Sequence, residues 1–316
     1  MPGSWTGAIG LGLGLGLGLL ISRRALRNIQ DTTLSPSSSS PPPAPTTTAS
    51  TFANAVVVVT GGANGIGSGV VRAFHAAGAL VFFADVDVTQ GELLASELGS
   101  RVCFRACDVS KSEAIRSFVD YVTNVTNGRI NVLVNNVGVQ LDDGTPAHLL
   151  DESVWDKVIA INLTSYFLFS KYCLPSLMSS SSPSKNSTII NMSSVQGLQS
   201  QSGIPAYAVS KGGILSMTRQ MSMDYAKKGV RVVAINPGTI RTPLFENLLI
   251  KRNGKDKLNE SLQQAANVYP IQRIGEIEEI ASVCLFLASK SASFITGESI
   301  TVDGGIMAMG GWSGAA

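Results

Sequence analysis

The chain has 316 residues, 44% of them hydrophobic and 15% charged, which provides for one large globular core and lies far from the composition of a disordered protein. Its 24 basic and 22 acidic side chains nearly cancel, and no dense basic patch marks a nucleic-acid surface, so no nucleic-acid partner is expected. Four cysteines without a CxxC pair and only two histidines argue against a metal site and for reduced thiols in the core.

In chain order, residues 1–50 are expected to stand apart from the fold. An apolar GAIGLGLGLGLGLLI block (7–21) is followed by SRRALR and then by the tract SPSSSSPPPAPTTTAS (35–50), a linker by composition. Glycine is commoner in membrane helices than in soluble ones, and the arginines follow the apolar block. The expectation is therefore a chain associated with a membrane through residues 5–22, its catalytic domain facing the cytosol. A leader cleaved on entry into a mitochondrion or plastid is the alternative. The domain proper is placed at 51–316.

From Ala53 short apolar runs alternate with helix-sized segments. AVVVVT (55–60), ALVFFAD (79–85), RVCFRACD (101–108), INVLVNN (130–136), STIINMSS (187–194), VRVVAINP (230–237) and ESITVDGG (298–305) are seven candidate strands. They are apolar throughout rather than at every second position, so both faces of the sheet should be covered. GSGVVRAFHAAG (67–78) and EIEEIASVCLFLAS (276–289) are among the helices between them. Strand and helix in alternation predict an α/β domain with a doubly wound parallel sheet.

Three motifs carry chemistry. The first strand runs into TGGANGIG (60–67), where glycines at 61, 65 and 67 permit a tight turn and let a pyrophosphate rest on the start of a helix. Asp85 closes the second strand, 18 residues after Gly67. A carboxylate there accepts hydrogen bonds from a ribose diol and repels a 2'-phosphate, and no cation occupies Gly62, Ala63, Asn64 or Val86, so NAD is favoured over NADP. Finally, Tyr207 and Lys211 stand four apart in PAYAVSKGG, with Ser194 thirteen positions upstream. On a helix that spacing places phenol and ammonium on one face, where the cation favours the phenolate and brings a tyrosine into range for proton transfer.

In these motifs, their order and their spacing the chain resembles the classical short-chain dehydrogenases/reductases, from Asn54 to Gly305. The resemblance implies a single Rossmann-type domain with a seven-stranded parallel sheet, working as a homodimer or homotetramer. It implies a dinucleotide turn at Gly61, Asn64, Gly65, Ile66 and Gly67, adenine contacts at Asp108 and Val109, and a cofactor-lining motif from Asn135 to Gly138. Asn162, Ser194, Tyr207 and Lys211 would be the catalytic tetrad, and Pro237, Gly238, Ile240 and Thr242 would clasp the nicotinamide end. Ser194 rather than Ser193 is expected in the site, since a strand alternates its faces. Val137 departs from the alanine usual there. The implied reaction is hydride transfer between NAD(H) and a secondary alcohol or ketone. The run NPGTIRTPLFENLL (236–249) is most similar to 17-beta-hydroxysteroid dehydrogenase type 14-like members, which points to a hydroxysteroid or other apolar alcohol under a lid at 241–268. An NADPH-dependent 3-oxoacyl reductase and a non-catalytic nucleotide sensor on the same fold are the alternatives.

Overall fold

The computed structural model describes residues 52–142, 144–180 and 187–309. Each expected strand forms: β1 (Val56–Thr60), β2 (Leu80–Asp85), β3 (Val102–Ala106), β4 (Val132–Asn135), β5 (Ser187–Met192), β6 (Val230–Pro237) and β7 (Ser299–Val302). They pair in parallel in the order β3-β2-β1-β4-β5-β6-β7, a single Rossmann-like α/β sheet. The order of strands reverses between β1 and β4. In such sheets that switch point opens a crevice at the carboxyl ends of the strands, and it is there that the motifs gather.

The unbroken apolar runs are explained by β1. Val57 and Val59 join a layer with Val70 and Phe74 of α1 (Gly65–Ala76) and with Cys284 and Leu287 of α9 (Ile277–Ala288). Val56 and Val58 face the opposite layer, with Ile115 and Phe118 of α3 (Ser112–Val125), Phe169 and Cys173 of α5 (Ser165–Ser180) and Met221 of α6 (Pro205–Tyr225). All four valines are fully buried, each contributing about 1.5–3 kcal/mol over an exposed position, so a polar residue is tolerated on neither face.

The other helices are α2 (Val88–Leu98), α4 (Glu152–Ile159), α7 (Pro243–Asn253) and α8 (Leu258–Asn267). Their starts follow local chemistry. Asp87 accepts from Gln90 N at the head of α2, Thr242 from Phe245 N at the head of α7, and Glu276 and Glu279 close a reciprocal capping box on α9.

The membrane-associated placement is corrected. Among the described residues no helix is long and apolar enough to cross a membrane, and residues 5–22, on which that placement was built, lie outside the described residues. The four cysteines are free thiols. Burial pushes Cys107 up to about 11 and Cys284 to about 12, so neither is a nucleophile near neutrality.

Candidate active site

At the end of β1 the chain turns through Gly61 (φ +65°) and Gly65 (φ +53°) into α1, a left-handed backbone that favours glycine. At Gly67 a side chain would run into the carbonyl of Gly61. Asn64 stands at the N-cap but leaves the helix without a side-chain cap; its Nδ2 donates to Asp87 Oδ2 at 3.0 Å. The amides at the head of α1, including Ile66, are thus left for an anion. At the tip of β2 the Asp85 carboxylate is aimed by two backbone donors, Ala63 N on Oδ2 (2.9 Å) and Asp87 N on Oδ1 (3.0 Å). Asp108, just past β3, accepts from both Ser110 N and its hydroxyl, which holds its carboxyl below the usual range. Val109 beside it is buried. An open helix head, a glycine turn and an aimed carboxylate in one row suit the diphosphate and ribose of a nicotinamide dinucleotide.

Asn135 requires a correction. It was expected to line the cofactor, but it is fully buried, its Nδ2 donating to Asn191 (2.9 Å) and Ser170 (3.2 Å) inside the sheet. Alternation along β4 turns the next residue the other way. Asn136 donates from Nδ2 to the carbonyls of Thr60 and Gly61, 3.0 Å each, and so braces the glycine turn.

The four tetrad positions come from three separate elements, Tyr207 and Lys211 sharing α6, and meet beyond β4 and β5. Asn162 sits in a π turn (Ala160–Thr164) between α4 and α5. The wider turn directs it inward, where Nδ2 donates to Val139 O (2.8 Å) and Ser210 Oγ (3.2 Å), and Oδ1 accepts from Val139 N (2.8 Å). Lys211 is 3% exposed and donates from Nζ to Met192 O at 2.9 Å. Its Nζ lies 5.5 Å from the Tyr207 ring centre and 5.8 Å from that of Tyr166. A methyl at Gly138 would stand 3.4 Å from Lys211 Nζ and 3.8 Å from Asn162 Oδ1, so Gly138 is where the two groups meet. Ser193 donates to Lys211 O (2.8 Å) and serves the helix, whereas the Ser194 hydroxyl acts on the Tyr207 phenol.

The electrostatics differ from the sequence expectation. Burial raises the Tyr207 phenol, the Asp142 charge raises it further, and hydrogen bonding by Ser194 opposes both. Burial also lowers Lys211 to about 7. Lys211 was expected to bring the phenol down. In the folded chain desolvation acts first, and it disfavours the charged form of both groups.

Pro237 ends β6, and the loop from Gly238 to Thr242 is braced from outside. Ile240 is buried and pairs with Gly275. A side chain at Gly238 would meet the Tyr269 ring at 3.1 Å, and the Tyr269 hydroxyl accepts from Thr239 N and donates to Thr239 Oγ1, 2.7 Å each. A side chain at Gly65 would meet the Thr242 methyl at 3.4 Å, which sets the head of α7 over the glycine turn. Tyr269, Asp142 and Tyr166 escaped the sequence reading. Tyr166 is fully buried, its hydroxyl 3.0 Å from Val137 O and 3.1 Å from Met192 O, and its place four residues after Asn162 was the one available signal.

The family described as enoyl-(acyl carrier protein) reductase matches residues 61–307. The chain is 36% identical to an uncharacterized oxidoreductase of Bacillus subtilis, over 81% of this chain and 92% of that protein. It is 34% identical to L-fucose dehydrogenase of Bos taurus (80% and 90% covered), and 34% identical to a 3-oxoacyl-[acyl-carrier-protein] reductase of Thermotoga maritima (80% and 97%). Among solved structures it resembles the aldohexose dehydrogenase of Thermoplasma acidophilum in ligand-free form, with a TM-score of 0.74, 30% identity and 82% and 96% of the two chains covered. It also resembles the 3-ketoacyl-(acyl-carrier-protein) reductase of Brucella melitensis complexed with NADH, with a TM-score of 0.71, 26% identity and coverage of 80% and 98%.

Proposed function

Because the chain belongs to the short-chain dehydrogenase/reductase family, an oxidoreductase family that uses nicotinamide cofactors, we propose that it oxidises a secondary alcohol, or reduces the matching ketone, with NAD(H). The observation that carries the reading is the convergence of Asn162, Ser194, Tyr207 and Lys211 at one end of the sheet, beside the glycine turn. A bound dinucleotide would accept or supply the hydride. Gly61, Gly65 and Gly67 with the head of α1 hold its diphosphate, and Asp85 takes its adenine ribose. Tyr207 exchanges the proton of the substrate hydroxyl, and Ser194 steadies the substrate oxygen and the phenol together. Lys211 binds the nicotinamide ribose, and Asn162 holds the backbone at Val139 behind it.

The preference for NAD over NADP rests on Asp85, whose two oxygens are fixed by backbone donors and so remain where a 2'-phosphate would have to sit. The same carboxylate disfavours an NADPH-linked 3-oxoacyl reductase, and the assembled tetrad disfavours a non-catalytic sensor. For the substrate we favour an apolar alcohol of the hydroxysteroid type, since the lid helix α7 presents Leu244 exposed and Phe245 and Leu248 half-buried, while only Leu249 is spent on the core. The enzyme domain is taken as 51–316, working as a homodimer or homotetramer. The test is a panel of secondary alcohols and ketones with NAD(H) and NADP(H), followed by absorbance of the reduced nicotinamide, beside Tyr207→Phe. Turnover should vanish in the variant while NADH binding persists, because the ring is kept and the proton donor lost. Retention of more than a few per cent of activity with chemistry rate-limiting overturns the assignment.

A further inference from the structure

We propose that Tyr269 is a further positioning residue of this reaction centre: its hydroxyl latches the loop from Gly238 to Thr242 to the end of α8 and so fixes where the nicotinamide of a bound dinucleotide sits. The inference rests on the dehydrogenase reading above, in which that loop holds the nicotinamide end. From Asn267 to Arg273 the chain runs along the surface, and within that segment Tyr269 alone is buried. Its hydroxyl accepts from Thr239 N and donates to Thr239 Oγ1, at 2.7 Å each. One group thus satisfies both a donor and an acceptor of one loop residue. Two glycines stand against the ring, since a methyl at Gly238 would lie 3.1 Å from its Cε1 and a methyl at Gly304 would lie 3.4 Å from its Cδ1. A side chain needed only to fill that space could be phenylalanine, which has the same ring and buries no hydroxyl.

The backbone bonds of the loop show what the hydroxyl adds. Gly238 N donates to Val302 O (3.0 Å), Thr239 O accepts from Gly275 N (2.9 Å), and Arg241 N donates to Gly275 O (2.8 Å). The Thr239 N–H falls between these anchors and is taken by Tyr269. Packing does not replace that bond, because a cavity of about 80 Å³ opens beside the loop, with Thr239, Ile240, Tyr269, Arg273, Glu279 and Asp303 in its wall. Without the hydroxyl, the N–H and Oγ1 of Thr239 lose their partner next to that space, and the loop gains freedom that a bound nicotinamide must then remove. The far end of the loop reaches the dinucleotide turn, where the Thr242 methyl would stand 3.4 Å from a methyl at Gly65, so a shift at Thr239 is carried toward the cofactor. Tyr269 N donates in turn to Ala266 O (3.0 Å) in the last turn of α8, which gives the latch a fixed post.

Isothermal titration calorimetry of the full chain with NADH and with ADP-ribose, which lacks the nicotinamide, separates the two ends of the cofactor. The native protein should bind NADH more tightly than ADP-ribose. Tyr269→Phe keeps the ring and removes the hydroxyl, so NADH affinity should fall about tenfold for the two lost hydrogen bonds while ADP-ribose affinity is held. Thr239→Val keeps the tyrosine, removes one of the two bonds and should lose about threefold, again for NADH alone. Because both substitutions act through one contact, the double variant should bind NADH no more weakly than Tyr269→Phe does. A general loosening of the fold would lower both affinities together, and that result overturns the proposal. So does an NADH to ADP-ribose ratio that is unmoved in either variant, or a native protein that binds the two compounds alike. None of these readouts needs substrate or turnover, so an unmoved ratio leaves the dehydrogenase reading standing. A native protein that shows the expected binding but oxidises no alcohol and reduces no ketone would remove that reading and leave the latch intact.

Discussion

Lys211 should weaken the fold that it serves. Burial carries its pKa from 10.5 to about 7, and at 1.36 kcal/mol per unit that is a penalty of about 5 kcal/mol at neutral pH. The sign follows from proton counts. Below about pH 7 the folded and unfolded lysines are both protonated, and the penalty is full and constant. Between about 7 and 10.5 the unfolded chain alone keeps the proton, so stability rises with pH through that window. Lys211→Met removes the amine and with it the hydrogen bond to Met192 O, a loss of about 1–3 kcal/mol. At pH 7 the variant should therefore be about 2–4 kcal/mol more stable than the native protein while being inactive, an instance of stability given up for activity. Urea unfolding of both proteins without NAD, at pH 7 and again at pH 9.5, is the assay. The native protein should gain about 3 kcal/mol over that interval through this group, and the variant should lack the gain. A stability difference that is the same at both pH values, or a variant less stable at pH 7, would show that Lys211 is not desolvated as the structure has it.

Three further outcomes are expected. Asp85→Ser combined with Val86→Arg should move the preference from NAD toward NADP, because it removes a repulsion and adds a phosphate partner at an exposed position; a native enzyme that already prefers NADPH in steady-state kinetics would refute the assignment. Tyr166→Phe keeps the ring beside Lys211 but removes the donor near Val137 O and Met192 O, which should cost about 1–3 kcal/mol in urea unfolding. An unchanged midpoint would mean that the hydroxyl ties nothing together. Deletion of residues 1–50 should leave kcat and KM unchanged, since all of the proposed site lies after Thr60, and a loss of activity in a folded truncated protein would move the domain boundary.

How much of this was legible in advance depends on how local each feature is. The strands were, because burial on both faces imposes unbroken apolar runs such as Val56 to Val59, and the glycine turn was, because Gly61 and Gly65 adopt backbone angles that other residues resist. Tyr207 and Lys211 were found together because helical spacing is itself a sequence pattern. The phase of alternation at the end of β4 was not readable from adjacent asparagines, and only the sheet showed that Asn135 is locked inside while Asn136 braces the turn. Nor did any pattern announce the π turn that directs Asn162 inward. Asp142 lies 65 positions from the amide it binds, a pairing set by where two loops end on the sheet rather than by any spacing along the chain. The charge state of the site was decided at the same level. Four-residue spacing placed a cation near a phenol, but whether that cation is charged depends on the solvent excluded around it. Burial is a property of the packed whole, and it lowers Lys211 and raises Tyr207 together.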